Sequence, residues 1–145
     1  MSLLRNPIDK VRVLVADDNK EVRDKVVQML SPSFNVIGTA RDGKSVCEAV
    51  DMLRPEVVVL DVSMPYMDGI EAAKKMNRNG SKAKTVFLTV NADPDFVRAA
   101  LKAGASAYVI KSYMATDLIA AMNAAVEDRV FVSPSCAWDT DKGTQ

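Results

Sequence analysis

The sequence predicts an α/β fold, with a central parallel sheet covered by helices on both faces. Strand-like and helix-like segments alternate five times along the chain. Three of the strand-like segments are nearly continuous hydrophobic runs, as expected for strands buried on both faces. The chain has 145 residues, the length of one ordinary domain, and 48% of them are hydrophobic, enough for a real core.

The first strand is Val11-Arg12-Val13-Leu14-Val15-Ala16. After it, Val22, Val26, Met29 and Leu30 repeat at helical spacing. Asn35-Val36-Ile37-Gly38-Thr39-Ala40 reads as a second, weaker strand. Asp42-Gly43 turns the chain, Val46, Ala49, Val50 and Leu53 form the next helix stripe, and Pro55 stops it. Glu56-Val57-Val58-Val59-Leu60 is the third strand, and Ile70, Ala73 and Met76 mark the third helix. Thr85-Val86-Phe87-Leu88 is the fourth strand. Asp93-Pro94 starts a helix, with a capping carboxylate and then proline at the first helical position. Val97, Ala100 and Leu101 face inward, and Gly104 suits the left-handed position after the helix. The fifth strand is Ala107-Tyr108-Val109-Ile110, and Leu118, Ile119, Met122, Ala125 and Val126 build the last helix.

Right-handed crossovers that cover both faces give a five-stranded sheet of order 2-1-3-4-5, the flavodoxin-like doubly wound (βα)5 arrangement. Its switch point falls between strands one and three. Carboxyl ends of parallel strands converge on one crevice, so Asp17-Asp18, Asp61, Thr89 and Lys111 should meet there. An Asp-Asp after a strand is often just a helix cap. Three clustered carboxylates are different, because like charges repel unless a cation sits among them. Oxygen ligands of this kind suit magnesium, with manganese as a possible substitute. Alone, Thr89 reads as an ordinary strand residue and Tyr108 as core.

The string Asp61-Val62-Ser63-Met64-Pro65-Tyr66-Met67-Asp68-Gly69 is far more specific. It resembles the receiver domain of two-component response regulators, whose phosphoacceptor loop reads D-x-x-M-P-x-M-D-G. The resemblance spans roughly residues 9–130. It includes the acidic pair, the threonine ending strand four, and Gly104-Ala105-Ser106-Ala107-Tyr108-Val109-Ile110-Lys111. It implies that Asp61 accepts a phosphoryl group from a sensor histidine kinase. Asp18, Asp61 and the Ser63 backbone carbonyl would hold magnesium directly, and Asp17 through water. Lys111 and the Thr89 hydroxyl would contact the phosphoryl oxygens, and Thr89 with Tyr108 would form a conformational switch. The helix 4–strand 5–helix 5 face carries output in such domains, and a homodimer on phosphorylation is expected. The chain departs from the common pattern at Val90, where a small residue is usual, and at Ser112, where proline is usual. A trans Lys111–Ser112 bond is therefore expected, since a non-proline cis bond costs about 2.5–4 kcal/mol.

Residues 117–134 look most like the NarL/FixJ (LuxR-type) subclass, in which a DNA-binding domain follows. The expected organisation is an extension over 1–9, the receiver over 10–130, and a tail or linker over 131–145. DNA would be reached only through an output domain absent from this chain; a stand-alone regulator is the alternative. Lysine plus arginine equal aspartate plus glutamate at 19 each, which disfavours direct DNA binding. The absence of histidine excludes Ser-His-Asp triads and zinc sites of the usual kind. Cys47 and Cys136 read as packing or idle thiols, and Met64, Met67, Met114 and Met122 as gap fillers. No apolar run approaches the ~20 residues of a membrane span, so a cytoplasmic, non-membrane protein is expected. An aspartyl phosphatase would want an acid/base aspartate where Ser63 stands. A flavin binder would want a phosphate-cradling loop where Asp17-Asp18 stand. The reading is therefore a switch rather than a turnover enzyme.

Overall fold

The computed structural model describes residues 10–64, 67–90 and 92–134. Among the described residues, six parallel strands form one sheet in the order β2-β1-β3-β4-β5-β6. They are β1 (Arg12–Ala16), β2 (Asn35–Ala40), β3 (Val57–Asp61), β4 (Lys84–Thr89), β5 (Ala107–Ile110) and β6 (Phe131–Val132). The helices are α1 (Lys20–Leu30), α2 (Gly43–Leu53), α3 (Gly69–Arg78), α4 (Pro94–Lys102) and α5 (Met114–Val126). The five-stranded flavodoxin-like order holds, and β6 extends it by one short edge strand. Residues 131 and 132 are thus part of the sheet rather than the start of a tail.

Alternation along the buried strands sorts the core into two layers. Leu14, Val58, Leu60, Phe87 and Tyr108 pack with α2, α3 and α4 on one face. Val13, Val15, Val57, Val59, Val86 and Val109 pack with α1 and α5 on the other. Both faces are covered, as the continuous apolar runs require. Met64, Met114, Met122 and Cys47 are buried in these layers, as packing residues would be.

The helix ends carry recognisable caps. The Asn19 side chain accepts from the Val22 N–H at the start of α1. Asp42 does not merely turn the chain: it forms a reciprocal capping box with Ser45 ahead of α2. That bond, with the Ser45 hydroxyl beside it, holds the Asp42 carboxyl below its ordinary range. α2 ends on Arg54 in the left-handed region at φ 49°, and the Arg12 guanidinium donates to the carbonyls of Leu53 and Arg54. A cation there complements the negative end of the helix dipole. Asp93 caps α4, Pro94 opens it, and Gly104 follows it at φ +95°. The last helix starts earlier than the apolar stripe suggests. A short 3-10 turn over Lys111–Tyr113 leads directly into Met114. No peptide bond among the described residues is cis, so Lys111–Ser112 is trans. The 1–9 extension, Pro65, Tyr66, Cys136 and the rest of the expected tail from 135 lie outside the described residues.

Candidate functional site

The strand register brings the acidic residues together. β1 pairs with β3 so that Ala16 lies beside Leu60, which sets Asp17 alongside Asp61 at the carboxyl edge. Asp18 follows, exposed, at the crevice mouth. One carboxylate oxygen from each of Asp17, Asp18 and Asp61 lies within 4.8 Å of the others. On the other side, β4 and β5 pair Thr89 with Ile110, so Lys111 leaves the sheet one step beyond Thr89. The Lys111 ammonium lies 2.9 Å from Asp17 Oδ2 and 3.4 Å from Asp61 Oδ2. The expected carboxylates and ammonium do meet. Thr89 is buried at the adjoining strand end, and Tyr108 is fully buried two residues before Ile110.

Hydrogen bonds fix the two buried acids, Asp17 and Asp61. The Asn19 N–H donates to Asp17 Oδ1 at 2.9 Å, and the Arg23 guanidinium donates to the Asp17 carbonyl at 2.8 Å. The Ser63 N–H donates to Asp61 Oδ1 at 3.1 Å, which curls the loop after β3 back over the strand end. The Gly69 N–H donates to the Val62 carbonyl at 2.7 Å, seating the start of α3 against β3. A Cβ on Gly69 would lie 2.3 Å from the Asp61 carbonyl oxygen, so only glycine permits this approach. A Cβ on Gly43 would meet Met67 Cβ and the Met67 carbonyl at 2.5 Å, so the same loop is wedged from α2 as well.

The electrostatics are unbalanced. Burial, and then the charge of Asp17, push the Asp61 carboxyl up to about 7; the Lys111 charge and the Ser63 N–H pull the other way without prevailing. Burial works against the Lys111 ammonium, but contact with Asp17 and the charges of both acids outweigh it and raise its pKa. Asp17 Oδ2 is buried and receives no directed hydrogen bond among the described residues. Its 2.9 Å approach to Lys111 is a charge contact rather than a well-aligned hydrogen bond. A buried, under-satisfied carboxylate oxygen beside two more carboxylates fits an oxygen-liganded divalent cation.

Arg23, Gly43 and Gly69 are the supporting residues that the sequence pattern did not single out for their geometry. Gly69 carries a signal as the last letter of the loop string and Gly43 as half of a turn dipeptide, whereas Arg23 carries none.

The fold therefore sets an acidic crevice at its switch point, with Lys111 against Asp17 and Asp61. The family model for the response regulator receiver domain matches residues 13–123, and the chain belongs to that family. Its close sequence and structural neighbours are NarL- and LuxR-family response regulators. The chain is 33% identical over 129 residues to the probable transcriptional regulatory protein NarL of Mycobacterium tuberculosis, covering 88% of this chain and 60% of that protein. A LuxR-family two-component response regulator from Aurantimonas superposes with a TM-score of 0.87 at 26% identity, over 94% of this chain and 100% of that one. A structure of two RcsB dimers bound to two parallel DNAs superposes with a TM-score of 0.80 at 28% identity, over 88% of this chain and 66% of that one. The chain spans a little over half the length of the curated transcriptional regulatory proteins it matches, 54% to 60%.

Proposed function

We propose that this receiver domain takes a phosphoryl group from a sensor histidine kinase onto Asp61 and thereby switches a transcriptional output. The observation that carries the reading is the meeting of three carboxylates within 4.8 Å, two of them, Asp17 and Asp61, bridged by Lys111. In the reaction, an Asp61 oxygen attacks phosphorus in line, the P–O bond forms, and the P–N bond to the donor imidazole breaks. The imidazole leaves with the electron pair. Such a transfer depends on positioning and charge neutralisation more than on covalent assistance. Asp17, Asp18, Asp61 and the Ser63 carbonyl would hold magnesium, or manganese in its place. When bound, the ion supplies positive charge to the phosphoryl oxygens and keeps Asp61 ionised for attack. Lys111 leaves its contact with Asp17 to pair with a phosphoryl oxygen, and the Thr89 hydroxyl donates to another.

Thr89 and Tyr108 are buried on neighbouring strands, β4 and β5, and form the switch in this reading. A phosphoryl group brings about −1.5 to −2 charges to a small site, which biases a packed element with two arrangements. Val90, 77% exposed just after Thr89, would narrow access to the acyl phosphate in this reading. The output is supported by relatives named as transcriptional regulators, of which the matched region is 54% to 60%, and by RcsB dimers on DNA. Self-association on phosphorylation, with DNA held by a separate output domain, fits both. A non-enzymatic role in the cytoplasm accords with this reading; no described helix is long and apolar enough to cross a membrane.

The direct test is incubation with acetyl phosphate and magnesium. The wild-type chain should gain one phosphoryl group, and Asp61→Asn should gain none in the time that labels half the wild type. Labelling of Asp61→Asn at the wild-type rate refutes the assignment.

The cation has its own readout. Magnesium at ten times its dissociation constant should raise the melting temperature by about 4 °C, because it binds only the folded chain. Asp18→Ala should lose most of that rise and Asp17→Ala less, since Asp17 would hold the ion through water in this reading. A melting temperature indifferent to magnesium counts against the site.

A further inference from the structure

The chain returns after α5 to the edge of the sheet and lays β6 against β5. The Phe131 N–H donates to the Ser106 carbonyl at 3.1 Å, and the Ser133 N–H to the Tyr108 carbonyl at 2.9 Å. The next acceptor in such a ladder would serve Ile110. Instead, the Ser133 hydroxyl takes the Ile110 N–H at 3.1 Å. That hydroxyl donates in turn to Asp117 Oδ2, 2.7 Å away in the early part of α5. Ser133 is 1% exposed, so water does not stand in for it. Ile110 immediately precedes Lys111, and Asp117 lies just beyond the turn that Lys111 opens. One buried hydroxyl therefore clamps both ends of the segment that carries the lysine. The Thr116 hydroxyl, donating to the Tyr113 carbonyl at 3.0 Å, tightens the same turn.

We propose that Ser133 is a positioning residue for phosphoryl transfer: it fixes the Ile110–Asp117 segment so that the Lys111 ammonium reaches the site. The proposal rests on the reading of Lys111 as the partner of the phosphoryl oxygens. It also makes the C-terminal strap part of the reaction machinery. Whatever pulls Phe131–Ser133 off the sheet edge slows phosphorylation, and by linkage a site engaged with a phosphoryl group holds the strap more tightly.

The experiment is a double-mutant cycle on the full chain, reading the rate of labelling by acetyl phosphate at saturating magnesium. Ser133→Ala should slow labelling by about three- to tenfold, the effect of losing one buried hydrogen bond in part. Magnesium affinity should stay within about twofold of wild type, because the three aspartates are untouched. In a Lys111→Ala background, Ser133→Ala should add nothing further, since its effect passes through the lysine. Should Ser133→Ala fail to fold, Asp117→Ala, at a half-exposed helix position, carries the same cycle. The inference is overturned by labelling at the wild-type rate, by a parallel loss of magnesium affinity, or by effects that multiply in the double variant. Wild-type labelling of Lys111→Ala would instead remove the role given to Lys111 above, and the inference with it.

Discussion

In metal-free buffer, wild-type protein should lose stability relative to Asp61→Asn as pH rises from about 4 to about 8, and magnesium should abolish the loss. The cause is the Asp61 carboxyl, pushed from an ordinary 3.8 up to about 7 by burial and then by the Asp17 charge. A raised folded-state pKa means that the folded chain holds a proton which the unfolded chain has released. The resulting stabilisation is complete below the unfolded pKa and disappears as pH climbs through the folded one. The upper bound on the loss is about 4 kcal/mol, at about 1.4 kcal/mol for each pKa unit. Asn is neutral at every pH and nearly isosteric, so Asp61→Asn should match wild type near pH 4 and exceed it at pH 8. Urea titrations of both chains with chelator at the two pH values measure this difference directly. Equal stability of the two at pH 8 would show that Lys111 already compensates Asp61 in full. The Lys111 pKa is raised, so its own titration lies well above this window and does not blur the comparison. The low-pH limb set by Asp42, whose pKa is lowered, lies below it.

Gly69→Ala should be among the most damaging single-methyl additions in the chain. Its Cβ would stand 2.3 Å from the Asp61 carbonyl oxygen and 2.9 Å from Val62 Cα, both backbone atoms that no rotamer change can clear. Overpacking of this kind destabilises by about 1–3 kcal/mol, with the upper end expected where backbone must move. The displaced element is the end of β3 itself, so phosphorylation and magnesium binding should fall with stability. Gly80→Ala provides the contrast. Gly80 sits at φ +88° with nothing within 4 Å of a Cβ, so the substitution is strained but unobstructed. It should cost about 1–2 kcal/mol and leave magnesium affinity alone. If Gly69→Ala bound magnesium like wild type, the close seating of α3 on β3 would not be what holds Asp61 in place.

Much of this architecture was legible in the sequence because parallel sheets write themselves plainly. Val57-Val58-Val59-Leu60 can only be a strand buried on both faces, and the order of such strands fixes which ends meet. That is why the sequence alone places Asp17, Asp61 and Lys111 together. β6 was not legible, because two residues give no period to read and the acceptors that pair them belong to β5. Val130-Phe131-Val132 carried the composition of a strand, but the sheet edge that receives it is tertiary information. The start of α5 was missed for a related reason. Tyr113 offers no side-chain cap to mark the start, and the apolar stripe begins only at Leu118. Arg54 in the left-handed region breaks the expectation that glycine ends helices, and the Arg12 guanidinium satisfies the carbonyls left over. The engagement of Lys111 with Asp17 also has no signature in sequence. It follows from leaving a half-buried ammonium and a buried carboxylate side by side.

The central claim is that Asp61 receives the phosphoryl group. The most direct measurement is to label the chain with acetyl phosphate and magnesium, reduce the acyl phosphate with borohydride, and locate the reduced residue by peptide mass spectrometry. The account predicts a single homoserine at position 61, absent when magnesium is chelated. Reduction at Asp17, Asp18 or any other carboxylate, with Asp61 intact, would contradict it.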